Sequence, residues 1–173
     1  MSLRIAFMTF GVLKKPVGDE VVRGFVDRIA SVYAAADGSA GFFARSVRNV
    51  ETWEHSWGPV VAPQCTPPGL ALDQLAMTLS LWQDLKSVAA YTYHGVHAEA
   101  MSKRFDWFER GPWPGYVAWW VGKDHRPTWA EGASRLDRLH TNGAQPGAFT
   151  FRQPFDPEGR AISLKRNTWA KPD

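Results

Sequence analysis

Hydrophobic and polar positions alternate from Leu3 to Leu13, with Leu3, Ile5 and Phe7 on one side and Ala6, Met8 and Phe10 on the other. That period of two predicts a strand, which Pro16 and Gly18 break. Asp19 then offers an N-cap, and Val22, Phe25, Ile29, Val32 and Tyr33 recur at helical spacing until Gly38. Phe42 to Val50 alternates again and reads as a second strand. A loop rich in proline and glycine follows, from Trp53 to Gly69. Leu75, Met77, Leu79 and Leu81 form one face of a third strand, with Ala76, Thr78 and Ser80 opposite. Asp84 opens a helix through Leu85 and Val88. His94-Gly95 bends it before a second helical piece from Val96 to about Phe108. Tyr116 to Val121 is a fourth strand. Thr128-Trp129-Ala130-Glu131 is a capping box directly after Pro127, opening a helix through Ala133, Leu136 and Leu139 that Gly143 ends. Ala148 to Phe151 reads as a short edge strand.

The order β-α-β-β-α-β with one further helix is the ferredoxin-like arrangement, an α+β fold with helices on one face of an antiparallel sheet. Such a sheet leaves its other face bare. A second copy is the simplest cover for a bare apolar face, so the expectation is a homodimer through the sheet face, a dimeric α/β barrel. Residues 1–153 are expected to form this domain and residues 154–173 an extended C-terminal tail.

Composition narrows the function classes. The chain has 173 residues, enough for one domain with a real core. Nine tryptophans point to a core or cavity walled by rings, each indole N–H wanting an acceptor. The net charge is +3, and the segment from Arg152 onward supplies +2 of it through five basic and three acidic residues. The body therefore lacks a basic stripe, and no nucleic-acid partner is expected. Cys65 is the only cysteine, which excludes an intramolecular disulfide and a cysteine zinc site. It sits in the rigid loop Pro63-Gln64-Cys65-Thr66-Pro67-Pro68-Gly69, a poor setting for a nucleophile. No signal peptide is visible, no apolar run reaches bilayer length, and a cytoplasmic location without a membrane partner is expected.

The candidate chemistry lies between His94 and Phe151. On the helical piece from Val96, His97, Met101, Arg104 and Phe108 fall at i, i+4, i+7 and i+11, one stripe of a helix. His97 could serve there as a haem-iron ligand or a general base, and Arg104 could pair with a carboxylate. The plainer reading is a histidine bonded to backbone and an arginine paired with Glu99 or solvent. His94 beside Gly95 reads as a turn residue. His125 could close a site or sit in a solvated loop, and Glu131 already has a capping task. Arg45, flanked by Phe42, Phe43 and Ala44, needs a partner if buried. Phosphate-cradling glycine loops, dinucleotide fingerprints and nucleophile elbows are missing.

Phe10-Gly11-x-Leu13-Lys14-x-Pro16, Ser80-Leu81-Trp82, Tyr93, His97-Ala98-Glu99-Ala100-Met101, Arg104, Trp107-Phe108, Trp119-Trp120-Val121, His125-x-Pro127-Thr128 and Ala148-Phe149-Thr150-Phe151 together resemble an uncharacterised bacterial domain-of-unknown-function family. That family belongs to the dimeric α/β-barrel superfamily and is distantly similar to spheroidene monooxygenase and the antibiotic-biosynthesis monooxygenases. Lys123-Asp124 departs from the small residue usual before the family's histidine. The resemblance implies ferredoxin-like protomers pairing through their sheets. Its superfamily includes haem-binding oxygenases, haem-degrading enzymes and cofactor-free quinol monooxygenases, and His97 matches the helix position of a haem ligand.

Three readings follow. The first is a monooxygenase-like oxidoreductase acting on a hydrophobic or aromatic small molecule. Its cofactor would be haem, with His97 on the iron and Met101, Arg104, Trp107, Phe108 and Trp120 lining the pocket; His97 and Arg104 would be catalytic. The second is a non-catalytic dimeric protein that binds a hydrophobic small molecule. The third is cofactor-free oxygenation of a phenol or quinol.

Overall fold

A computed structural model describes residues 2–49 and 51–164. Four antiparallel strands, β1 (Leu3–Val12), β2 (Phe42–Arg45), β3 (Leu75–Trp82) and β4 (Tyr116–Gly122), form one sheet in the order β2-β3-β1-β4. This is the ferredoxin-like order. β1 sits centrally, with Phe7 opposite both Ser80 of β3 and Ala118 of β4.

The helices are α1 (Arg23–Val26), α2 (Ile29–Asp37), α3 (Leu85–Tyr93), α4 (Gly95–Ser102), α5 (Arg104–Trp107) and α6 (Trp129–Asn142). The Asp19 side chain caps a 3-10 turn at Glu20–Val22 rather than one long helix. That helix breaks between α1 and α2, where Gly24 lies against the Trp107 ring and its carbonyl accepts from Arg28 Nη1 at 2.7 Å. The helix expected from Val96 to Phe108 is also broken. Lys103 adopts φ −97° and ψ 1°, outside the helical region, so α4 ends before it and α5 is a separate helix. Among the described residues of the second strand, pairing with β3 covers Phe42–Arg45, with a bulge between Phe42 and Ala44; Val50 lies outside the description.

Period two sorts the sheet into two faces. Ile5, Phe7, Trp82 and Ala118 face Ala36 of α2 and Leu85 and Val88 of α3, so the two crossover helices lie on one face. Met8, Phe10, Leu79, Val117 and Trp119 line the other, and this face is not bare. Trp129, Leu136 and Leu139 of α6 pack over it, together with Trp57, Val60, Cys65 and Leu70 from the long loop. Burying side chains of this size stabilises by roughly 1.5–3 kcal/mol each. Gly132 permits the approach: a Cβ there would stand 2.5 Å from Met8 Sδ. The apolar surface on which the expected sheet-to-sheet homodimer rested is thus filled from within the chain. Sequence spacing could show that α6 had an apolar stripe but not which face it would take.

The tail expectation also changes in part. Residues 154–164 fold back, with Phe155 6.0 Å from the Phe149 ring and its carbonyl accepting from Trp120 Nε1 at 2.8 Å. Residues 165–173 of the expected tail lie outside the described residues. Phe149 pairs with Ala118 at the outer edge of β4, as an isolated bridge rather than a strand. No helix among the described residues is long and apolar enough to cross a membrane.

Candidate functional site

On the helix-covered face, the β2-β3-β1 side of the sheet carries Phe7, Thr9, Thr78, Ser80 and Trp82. The sheet spreads these side chains while α2, α3 and α4 roof them with Val32, Tyr33, Ala36, Tyr91 and His97. Between lies a cavity of about 60 Å³, partly open to solvent and lined also by Phe42, Arg45 and Ser46.

The floor hydroxyls are already paired. Thr9 and Thr78 share a hydrogen bond of 2.6 Å, and Ser80 Oγ donates to the Phe7 carbonyl at 3.3 Å while accepting from Trp82 Nε1 at 2.9 Å. Ser46 is different. It is nine-tenths buried, and its Oγ has no hydrogen-bond partner among the described residues. Such an atom forfeits its hydration without compensation, about 1–3 kcal/mol.

His97 enters from the first turn of α4, its ring 4.8 Å from that of Tyr91. Its Nδ1 lies 3.0 Å from the Thr92 carbonyl. A carbonyl only accepts, so Nδ1 carries the proton and the lone pair lies on Nε2. Burial pushes the His97 pKa below its ordinary value of 6.5, against the smaller opposing pull of the Thr92 carbonyl. The imidazole is therefore neutral near pH 7, with a free basic nitrogen. Tyr91 donates to the Val32 carbonyl at 3.2 Å. Burial pushes the Tyr91 phenol well above its usual range, and Tyr33 rises for the same reason despite Arg45 and Arg48 nearby. Both stay protonated.

Arg45 has the partner its sequence setting demands. Its Nε and Nη2 reach Asp37 Oδ1 and Oδ2 at 2.9 and 3.3 Å, and its guanidinium carbon lies 4.1 Å from the Tyr33 ring centre. Asp37 ends α2 and Arg45 ends β2, so the pair ties the helix to the sheet edge beside the cavity.

Of the residues proposed from sequence for the site, only His97 lines this cavity. Met101 is exposed on α4. Arg104 is exposed, donates to the Met101 carbonyl at 2.8 Å and covers the Phe105 ring at 4.2 Å. Trp107 is buried with Leu13 and Val22, while Phe108 packs edge-on against Phe25 at 5.0 Å and against Gly11. Trp120 belongs to β4, at the opposite edge of the sheet from β2, and is held by Phe155. The helical stripe fails because α4 and α5 are separate helices. Tyr33, Tyr91 and Arg45 line the cavity with His97 instead. Only Arg45 carried a sequence signal, a charged residue set among apolar neighbours in a strand.

A haem does not suit this cavity. Pockets for drug-sized ligands span about 300–1,000 Å³, and the His97 cavity is far smaller. Arg104, proposed to pair a propionate, is turned away, and three of the proposed aromatic walls pack elsewhere. The residues present do not fit a haem. Among the described residues, no cluster of three or more histidine, cysteine or acidic side chains could hold a metal ion.

A second polar cluster lies on the opposite face. Thr128 Oγ1 accepts from the Glu131 amide at 3.2 Å, one half of the expected capping box. The Glu131 carboxylate does not turn back to the cap; it accepts from Trp119 Nε1 at 2.9 Å and meets His125 Nε2 at 2.7 Å. These contacts fasten α6 to the sheet, and His125 belongs to them rather than to the cavity. Cys65 is inert by environment: burial, then the Asp137 carboxylate, pushes its thiol up to about 11.

Fold and site define a ferredoxin-like α+β domain with a small polar-and-aromatic cavity between its sheet and its crossover helices. The chain belongs to the family described as a domain of unknown function, DUF3291, whose model matches residues 4–165. No curated protein matches the sequence. Among solved structures, a conserved protein from Methanosarcina mazei Go1 is similar at 12% identity and TM-score 0.44, covering 71% of this chain and 95% of its own. A protein of unknown function from Nitrosomonas europaea gives 10% identity and TM-score 0.44, with 73% and 94% covered. A protein provisionally named antibiotic biosynthesis monooxygenase, also from Nitrosomonas europaea, gives 9%, 0.43, 73% and 94%.

Proposed function

We propose that this chain is a monooxygenase-like enzyme that works without haem on a small phenolic or enolisable molecule, with His97 as the base. The observation that carries the reading is the neutral, largely buried His97, its Nδ1 proton tied to Thr92 and its Nε2 lone pair free on the wall of an aromatic cavity. Nε2 would take the proton of the substrate hydroxyl. The resulting anion is electron-rich enough to reduce oxygen directly. For a ring methylene, oxidation to a carbonyl places one oxygen atom of O₂ in the product and releases the other as water. The substrate supplies all four electrons, so no external reductant enters. Phe42, Trp82 and Phe7 would keep bulk water from the reactive anion.

The test is oxygen uptake by the purified protein with a panel of single-ring phenols, hydroquinones and cyclic 1,3-diketones, the size class nearest to a cavity of about 60 Å³. His97→Ala is expected to lower kcat/KM by about 10²–10⁴, the range of a positioned general base. Equal turnover in that variant would overturn the role. Saturable binding of the same compounds with no oxygen consumed would instead make the protein a non-catalytic binder of small aromatics.

A further inference from the structure

We infer that the Thr9–Thr78 hydroxyl pair is the second polar contact of the His97 cavity, donating to a carbonyl oxygen of a ligand whose hydroxyl meets His97 Nε2. The ligand class is then a small vinylogous acid, a hydroxyl conjugated to a carbonyl, as in a 4-acylphenol or the enol of a cyclic 1,3-diketone. This rests on the reading that the cavity is the functional site, and it narrows the substrate to one that carries two oxygens.

Thr9 of β1 lies directly opposite Thr78 of β3. Period two places both on the face of Phe7, Ser80 and Trp82, which His97 helps to roof, and both line the cavity. Along β3 the floor opens toward them, since Trp82 and Ser80 are buried and Thr78 is half-buried. Two hydroxyls hold two protons, and their shared bond of 2.6 Å uses one. No acceptor among the described residues takes the other, so the pair keeps one O–H to give. That proton sits on the oxygen that accepts from its partner, and hydroxyls chained in this way polarise one another into stronger donors. His97 Nε2 is an acceptor with no hydrogen-bond partner among the described residues. One donor and one acceptor on the walls of one cavity match an acceptor and a donor on a single ligand. Conjugation adds a chemical reason. When Nε2 takes the hydroxyl proton, the charge left behind spreads onto the carbonyl oxygen. A donor fixed there holds charge where it appears, which favours loss of the proton. Stability alone does not require the two hydroxyls, because β-branched valines suit the same sheet positions.

The experiment is a calorimetric titration of the full chain under argon with 4-hydroxybenzaldehyde and with 4-ethylphenol, which has a closely similar shape and the same hydroxyl but no second oxygen. No lysine lines the cavity to form an imine with the aldehyde. The aldehyde is expected to bind at least about tenfold more tightly, the gain of one added hydrogen bond. In Thr9→Val/Thr78→Val that preference should fall to within about twofold, while Thr78→Ser, which keeps both hydroxyls, should retain it. Each single valine variant keeps one O–H without the partner that orients it and should lose about two- to fivefold of the preference, so the test stands if the double variant does not fold. Tyr33→Phe removes a phenol from the roof of the cavity and should leave the preference intact. A purely structural pair would lower Tm on substitution and leave the preference unchanged. Equal affinity for the two probes, no saturable binding of either, a preference that survives the valine variants, or one lost in Tyr33→Phe would overturn the inference. Because oxygen is excluded, failure of the proposed oxygenation is read separately. A threonine-dependent preference with no oxygen uptake by any phenol or enol would sink the reaction and leave the subsite standing.

Discussion

Replacing Glu131 with alanine is expected to loosen α6 from the sheet it covers. Trp119 is fully buried, and its indole N–H has Glu131 Oε1 as its acceptor at 2.9 Å. Without the carboxylate, that donor stays buried and unmet, costing about 1–3 kcal/mol. The link from Glu131 Oε2 to His125 is half-exposed and adds at most about 1 kcal/mol. A total of about 1–4 kcal/mol lowers Tm by roughly 3–12 °C in a domain of this size. Glu131→Gln keeps an acceptor for the indole and should lose about 1 kcal/mol. Calorimetry or urea unfolding of both variants measures this. The consequence for assembly is specific, since α6 occupies the face that would otherwise invite a second sheet. Size-exclusion chromatography with light scattering should show self-association rising in Glu131→Ala. A Tm within about 2 °C of wild type, or alanine and glutamine variants of equal stability, would refute the reasoning about the buried indole.

Acid should destabilise the protein partly through His97. Its pKa is lowered on folding, so the unfolded chain binds the proton more readily; the stability is fully present above about pH 6.5 and is lost as pH falls below it. His97→Gln should flatten the Tm-against-pH curve there without removing the slope entirely, because burial and Arg48 lower His55 in the same direction. Gly11→Ala should cost about 1–3 kcal/mol in chemical denaturation, because its Cβ would stand 2.7 Å from the Phe108 ring; no loss would show that the ring is free to move. Cys65 should react with a thiol reagent near pH 7 far more slowly than a free cysteine, and rate equality would contradict its raised pKa.

Local rules carried the secondary structure a long way. The strand from Leu3, the Asp84 cap, the Thr128 cap and the Gly143 stop were legible because alternation, capping side chains and glycine act within a few residues. The order of those elements also implied the ferredoxin-like sheet, since short connections leave few ways to arrange them. Where the sequence misled, the deciding interaction was distant. The stripe His97, Met101, Arg104 and Phe108 assumed one helix, but Phe108 is drawn away by Gly11, Leu13 and Phe25, and the helix breaks at Lys103. The cavity gathers Tyr33, Arg45, Tyr91 and His97 from four elements, and nothing in their spacing along the chain encodes that they meet. The fate of the second sheet face was likewise undetermined. An amphipathic helix specifies that it needs a cover and not which surface supplies it; only the folded chain, with Gly132 seated on Met8 and Glu131 holding the indole of Trp119, decided that α6 would cover its own sheet.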